Sequence, residues 1–269
     1  MFNHSLPQPL NFKKLGQAQG QIPPLVVLHG LFGMLDNWMS LARLWANNFE
    51  VWLVDQRNHG KSAHTAAFDY FLLADDLLQF FEQHHITKAH VLGHSMGGKT
   101  AMQFATLHPN RMASLMVADI APKAYEAGHH SNVLQALKQV NLTQITTRQQ
   151  ANEALQTFIP DEGTRQFLLK NLTHNSQNQF VWKFNIDSLL QNYDTIIDNP
   201  LPPFAHYNGP CLFIKGGASD YINLPDDEVL IHSHFSHAIV KTIENAGHWV
   251  HASHPQEVYH LVESFILSA

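Results

Sequence analysis

The sequence predicts an α/β fold: a mostly parallel central sheet flanked by helices, interrupted by a helical cap insertion. Two patterns predict it. In the first half of the chain, short runs of consecutive apolar residues alternate with helical stripes. Buried parallel strands and their crossover helices read this way. From Lys123 to Pro203 the apolar runs stop, and Gln, Asn and Leu take over at helical spacing.

Taken in order, a weak edge strand is expected near Leu10 to Leu15. Buried strands follow at Leu25 to Leu28, Val51 to Val54, His90 to Leu92 and Leu115 to Val117, the first three opening into turns rich in Gly, Asp or His. Between them, Asp36 or Asn37 can cap a helix carrying Leu41, Leu44 and Trp45. Asp69 can cap another with Leu73, Leu77, Phe80 and Phe81 on one stripe, because a short acceptor side chain satisfies first-turn amides. Thr100 to Leu107 reads as a helix stopped by Pro109. The insertion shows helical patches at Asn132 to Val140, Arg148 to Phe158 and Thr164 to Leu172, with no strand expected, and closes on Asn199-Pro200-Leu201-Pro202-Pro203. The sheet resumes at Cys211 to Ile214 and Ala238 to Ile243. A last helix from Pro255 to about Leu267 turns Val258, Leu261, Val262 and Phe265 inward. The expected division is a core of residues 1–122 and 204–269 around a cap of residues 123–203.

Composition narrows the function. The 269 residues suit one α/β domain with an insertion. With 16 basic and 22 acidic residues the formal net charge is -6, which argues against nucleic acid as a partner. Charged residues make up 14% of the chain, against about a quarter in ordinary domains. The single cysteine, Cys211, excludes an internal disulfide and fits a reducing compartment. The N-terminal stretch shows no basic segment followed by an apolar one, and no apolar run approaches the ~18 residues that cross a bilayer. A cytoplasmic protein without a membrane span is the expectation. The 20 histidines cluster at His84-His85, His129-His130, His232/His234/His237 and His248/His251/His254. Without a metal-ligand framework they are expected at the surface, and no metal is expected.

The chemistry centres on Gly93-His94-Ser95-Met96-Gly97, a G-x-S-x-G between a strand and a helix. A serine at that junction projects its hydroxyl above the sheet edge, and flanking glycines leave room for neighbouring backbone. Its hydroxyl needs a base. His248, in Asn245-Ala246-Gly247-His248-Trp249 between the last strand and the last helix, holds the place of the base in the order Ser…Asp/Glu…His. His251 and His254 are expected at the surface. Two carboxylates could orient the imidazole: Asp119, at the end of the strand after the serine, and Asp220, in the turn after the penultimate strand. Spacing leaves both open. Oxyanion donors are expected from the backbone N–H of Met96 and from the loop His29-Gly30-Leu31-Phe32-Gly33, with Leu31 ahead of Phe32. Phe32 and Trp249 are candidates for the substrate pocket.

His29 to Trp38, Asp55-Gln56-Arg57-Asn58-His59-Gly60-Lys61-Ser62 and Gly93 to Lys99 together resemble the YbfF-type esterases. These are small bacterial α/β-hydrolases related to the abhydrolase-domain proteins of mitochondria. Asp119-Ile120-Ala121-Pro122, Gln166 to Lys170 and Gly247 to His251 continue the resemblance over nearly the whole chain. It implies the α/β-hydrolase fold and a serine carboxylesterase or thioesterase acting on small acyl esters, acyl-CoA thioesters among them, without a cofactor. It also favours Asp119 as the triad acid, with Asp220 the alternative and a departure from the family pattern. Ser95 excludes the dehalogenases and epoxide hydrolases of this fold, which resemble one another in using an elbow aspartate. Cofactor-free haloperoxidases, carbon–carbon hydrolases and a non-catalytic ligand-binding protein remain as alternatives. Asp55 to Ser62 is expected to shape the loop below the site. Lys99, Arg57, Lys123, Arg165, Lys170 and Lys183 are expected as solvated surface charges rather than a landing site for CoA phosphates.

Overall fold

The computed structural model describes residues 6–18, 20 and 22–268. Runs that are apolar at every position make its inner strands. Leu25–Leu28 (β2) and Val51–Val54 (β3) are buried throughout, so both faces of the sheet are covered. β3 lies between β2 and Phe12–Leu15 (β1), the antiparallel edge strand, which among the described residues pairs with β3 alone. Ala89–His94 (β4), Met112–Ala118 (β5), Cys211–Gly216 (β8) and Ala238–Ile243 (β9) complete seven strands in the order β1-β3-β2-β4-β5-β8-β9, all parallel after β1.

The helices follow local signals. Leu35–Trp38 winds as a tight 3-10 turn leading into Met39–Trp45 (α1). Neither Asp36 nor Asn37 is its cap, because both lie inside that turn; Asn37 Oδ1 instead accepts from the Met34 N–H at 2.7 Å. Tyr70–Gln83 (α2) starts as expected, with the Asp69 carboxylate accepting from Leu72 N–H at 2.7 Å. Met96–Leu107 (α3) begins directly after Ser95, a turn earlier than the sequence suggests.

Between β5 and β8 lie His129–Gln139 (α4), Arg148–Gln156 (α5) and Glu162–Leu169 (α6), then Ile186–Gln191 (α7) and Tyr193–Ile197 (α8). The expectation of a strand-free insertion is corrected here. Leu172–His174 (β6) and Phe180–Trp182 (β7) pair as an antiparallel hairpin, with Leu172, Phe180 and Trp182 buried. Asp226–His234 (α9) was equally unforeseen, because the residues it buries, Asp227, Ile231 and His234, form no apolar stripe. Val250–Ser253 (α10) and Pro255–Ser268 (α11) end the chain, and α11 buries Val258, Val262 and Ile266 at helical spacing.

Three apolar clusters result. One lies on each face of the large sheet. The third joins the inserted helices to Leu31, Phe32 and Met96, which stand at the carboxyl ends of β2 and β4. That contact places the insertion over the sheet edge where α/β sites form. No helix among the described residues is long and apolar enough to cross a membrane.

Candidate active site

Ser95 sits at the turn from β4 into α3 with φ 52° and ψ −119°, a left-handed conformation that costs a non-glycine residue about 1–3 kcal/mol. Its N–H bonds Ala118 O at 3.0 Å. The flanking glycines are required by close approach. A Cβ on Gly93 would lie 2.1 Å from Gly97 O, and one on Gly97 would lie 2.5 Å from both Leu28 O and His29 O. The hydroxyl therefore projects from a turn that β2, β4 and α3 jointly compress.

His248 follows β9 and faces Asp119. Its Nδ1 lies 2.9 Å from Asp119 Oδ2, across a contact in which Asp119 is fully buried. The carboxylate is held from two further sides, by the Gly216 N–H on Oδ1 at 2.8 Å and by the Ser219 hydroxyl on Oδ2. With Nδ1–H donating to Asp119, the Nε2 edge of His248 is left to act on a substrate. Tyr221 stacks on the imidazole, ring centroids 3.7 Å apart and planes 16° from parallel. His94 Nε2 donates to His248 O at 2.8 Å. Neither Tyr221 nor His94 was foreseen beside the imidazole, and Tyr221 carries no motif that could have marked it.

The two carboxylates that spacing left open are separated by the fold. Asp119 meets His248. Asp220 is exposed, and among the described residues no hydrogen bond or ion pair joins it to the imidazole.

The loop after β2 lies close to the residues on either side of Ser95, its His29 O within 2.5 Å of a Cβ built on Gly97. The Phe32 N–H is taken by His59 Nε2 at 3.3 Å, and Phe32 O accepts from Asn171 Nδ2 at 2.7 Å. Phe32 itself has φ 59°. Leu31 N–H makes no hydrogen bond among the described residues, and Met96 is the first residue of α3, where an amide has no intrahelical acceptor.

Asp55 to Ser62 packs against this loop. Asp55 accepts from Leu35 N–H at 2.7 Å and Lys61 N–H at 2.9 Å, while Arg57 grips Asp76 through Nε and Nη2, each at 2.6 Å.

Several charge and histidine expectations are corrected. His251 is buried, not at the surface, stacking on Trp38 at 4.3 Å, and burial pulls its pKa down to about 3. His29, His59, His90, His94 and His234 are buried as well, because each ring nitrogen that meets backbone or hydroxyl lets the ring enter the core. Burial lowers His29 to about 4 and His59 to about 3. Arg57, Arg165 and Lys99 are buried rather than solvated. Arg165 donates to Ile159 O and Pro160 O, and Lys99 reaches the carbonyls that end α8.

A cavity of about 530 Å³ opens over the site. Ser95, His248, Leu31, Phe32 and Trp249 border it, and Phe167 and Leu168 of the insertion form part of its wall.

The model of the alpha/beta hydrolase fold family matches residues 23–255. The chain belongs to this family. Among its relatives in the alpha/beta hydrolase family is Esterase YbfF of Escherichia coli (strain K12), 36% identical over 93% of this chain and 95% of the relative. A mouse (Mus musculus) relative, sn-1-specific diacylglycerol lipase ABHD11, is 36% identical over 97% of this chain and 86% of its own. A solved marine microorganism esterase superposes with TM-score 0.92 at 38% identity, covering 96% of this chain and 99% of that one.

Proposed function

We propose that this carboxylic ester hydrolase works through Ser95 as nucleophile, His248 as base and Asp119 as the acid that orients it. The observation that carries the reading is the 2.9 Å contact from His248 Nδ1 to a buried, doubly held Asp119, beside a serine at φ 52° bordering the same cavity as the imidazole. His248 Nε2 takes the serine proton as Oγ attacks the acyl carbonyl. The oxyanion that forms is met by the N–H groups of Leu31 and Met96, which develop their full worth only in the transition state. The imidazolium then protonates the departing alcohol or thiol, leaving an acyl-enzyme. Water, activated by the same imidazole, hydrolyses it. Every step uses groups of the chain alone, without a cofactor.

Residues 123–203 act as the cap and residues 1–122 and 204–269 as the catalytic core. Cap and core meet around an apolar cavity, lined by Phe158, Ile159, Phe167, Leu168, Phe32 and Trp249, whose size lies within the usual range for small-molecule sites. Such walls favour an aliphatic acyl group over a charged one. Small acyl esters are the substrates this geometry suits best, and a thioester of the same acyl group meets the same nucleophile. A lone buried Cys211 fits a cytoplasmic setting.

The test is hydrolysis of p-nitrophenyl acetate, butyrate, octanoate and palmitate by wild type and Ser95→Ala. Wild type is expected to be fastest on the middle of the series, and Ser95→Ala to lose turnover on every ester. Retained turnover in Ser95→Ala would overturn the reading. A fluorophosphonate, which labels only an activated serine, separates the enzyme from a ligand-binding protein on the same fold.

A further inference from the structure

Ser95 also borders a second cavity, of about 540 Å³, most of whose other wall residues the apolar one does not touch. Ser95, Leu31 and Tyr221 are common to both, so the two chambers meet at the hydroxyl. An ester whose carbonyl carbon lies at Ser95 extends its two halves in different directions. The apolar chamber suits the acyl chain, and the second chamber is left for the alcohol half.

Charge distinguishes the second chamber. Among the described residues its wall carries four ionisable side chains besides the tyrosines: Lys99, Lys123, Glu126 and Asp220. Both cations are already engaged. Lys99 Nζ donates to Ile196 O, Ile197 O and Asp198 O at 3.3, 2.8 and 2.6 Å, which uses all three of its hydrogens. Lys123 Nζ lies 2.6 Å from Asp227 Oδ2. The carboxylates of Asp220 and Glu126 are exposed and form no ion pair among the described residues. Ser95 itself is more than nine-tenths buried, and its hydroxyl has no hydrogen-bond partner among the described residues. The chamber thus presents an unpartnered nucleophile and two uncompensated carboxylates, with its cations turned to other work.

Resting on the triad reading above, we propose that this chamber selects esters whose alcohol half is positively charged, and that Asp220 is the residue that sets the preference. An anionic alcohol half, a phosphate-bearing thiol included, meets the same carboxylates and is rejected. Asp220 therefore serves specificity, while Asp119 serves the imidazole.

Three butyrate esters sharing one acyl group test this: the choline ester, its uncharged isostere with a tert-butyl group in place of trimethylammonium, and the ester of hydroxypropanesulfonate. Wild type is expected to favour choline over the isostere by about fivefold in kcat/KM, the scale of one partly solvated ion pair, and to disfavour the sulfonate by a similar factor. Asp220→Asn combined with Glu126→Gln brings both ratios to about one while the rate on the isostere is kept. Asp220→Lys reverses their order. Wild-type ratios within about twofold of one, ratios that survive both variants, or turnover of p-nitrophenyl butyrate with none of the three esters would each overturn the proposal. Ser95→Ala on the isostere tests the underlying reading separately. Retained hydrolysis there sinks the triad, whereas Ser95-dependent hydrolysis without charge discrimination sinks this proposal alone.

Discussion

At the scale of single residues, the site depends on which carboxylate His248 meets. Asp119 and Asp220 both follow strands, so spacing could not separate them, and the difference lies in partners. Asp119 receives Gly216 N–H, the Ser219 hydroxyl and His248 Nδ1 in a site closed to water. Asp220 receives none of these. Asp119→Asn offers the imidazole an amide that can hold it in the wrong tautomer, and kcat is expected to fall by about 10³–10⁴-fold, as the same change does in the serine proteases. Asp220→Asn is expected to stay within about threefold of wild type on p-nitrophenyl butyrate, a neutral ester that gives its carboxylate no charge to read. Steady-state kinetics on the two variants decides between them, and a collapse in Asp220→Asn alone would reverse the assignment. The places of Ser95 and His248 in the fold were legible in the sequence, because a strained turn demands small neighbours and the proposed base has a fixed place in chain order. Tyr221 was not, since stacking on an imidazole is a property of the folded turn and leaves no spacing behind.

Between elements, the loop that follows β2 is pinned from two sides. From the core, His59 Nε2 occupies the Phe32 N–H; from the insertion, Asn171 Nδ2 holds Phe32 O. These contacts fix the Phe32 peptide at φ 59°, beside a Leu31 N–H that makes no hydrogen bond among the described residues. The consequence is a link between the insertion and the proposed oxyanion donors. Asn171→Ala is expected to lower kcat about tenfold with KM changed less than about twofold, since a loosened donor costs less than the 10²–10³-fold of a deleted one. Equal losses in kcat and folded fraction, measured by circular dichroism, would reduce Asn171 to a structural residue. Elements whose signal is local were readable: β2 and β3 are apolar at each position, and α2 has an aspartate at its cap. The β6–β7 hairpin has only three residues on each side, and α9 buries an aspartate and a histidine with its one isoleucine, so neither leaves a period to read.

Over the whole molecule, histidine couples stability to pH. The sequence predicted surface imidazoles because no metal-ligand framework gathers them, and burial depends on partners that only the fold assembles. In the structure His29, His59 and His251 are enclosed, and burial holds them at about 4, 3 and 3 against an ordinary 6.5. All three are uncharged in the fold, while the unfolded chain recovers the ordinary value. Between pH 6.5 and about 4 the unfolded chain therefore binds protons that the fold refuses. Stability is whole above pH 6.5 and falls as the pH drops through that window, by up to about 1.4 kcal/mol per pH unit for each histidine. His251 isolates one share of this slope. Its ring stacks on Trp38 at 4.3 Å and its buried Nδ1 has no hydrogen-bond partner among the described residues, so a phenyl ring can take its place in the stack. His251→Phe is expected to match wild type at pH 8, to exceed it at pH 5 by about 1–2 kcal/mol, and to shallow the pH dependence by one proton. Urea unfolding of both proteins at pH 5, 6, 7 and 8 reads this directly. Parallel curves for the two would mean that His251 titrates alike in the folded and unfolded chain, and the stability loss would then belong to other groups.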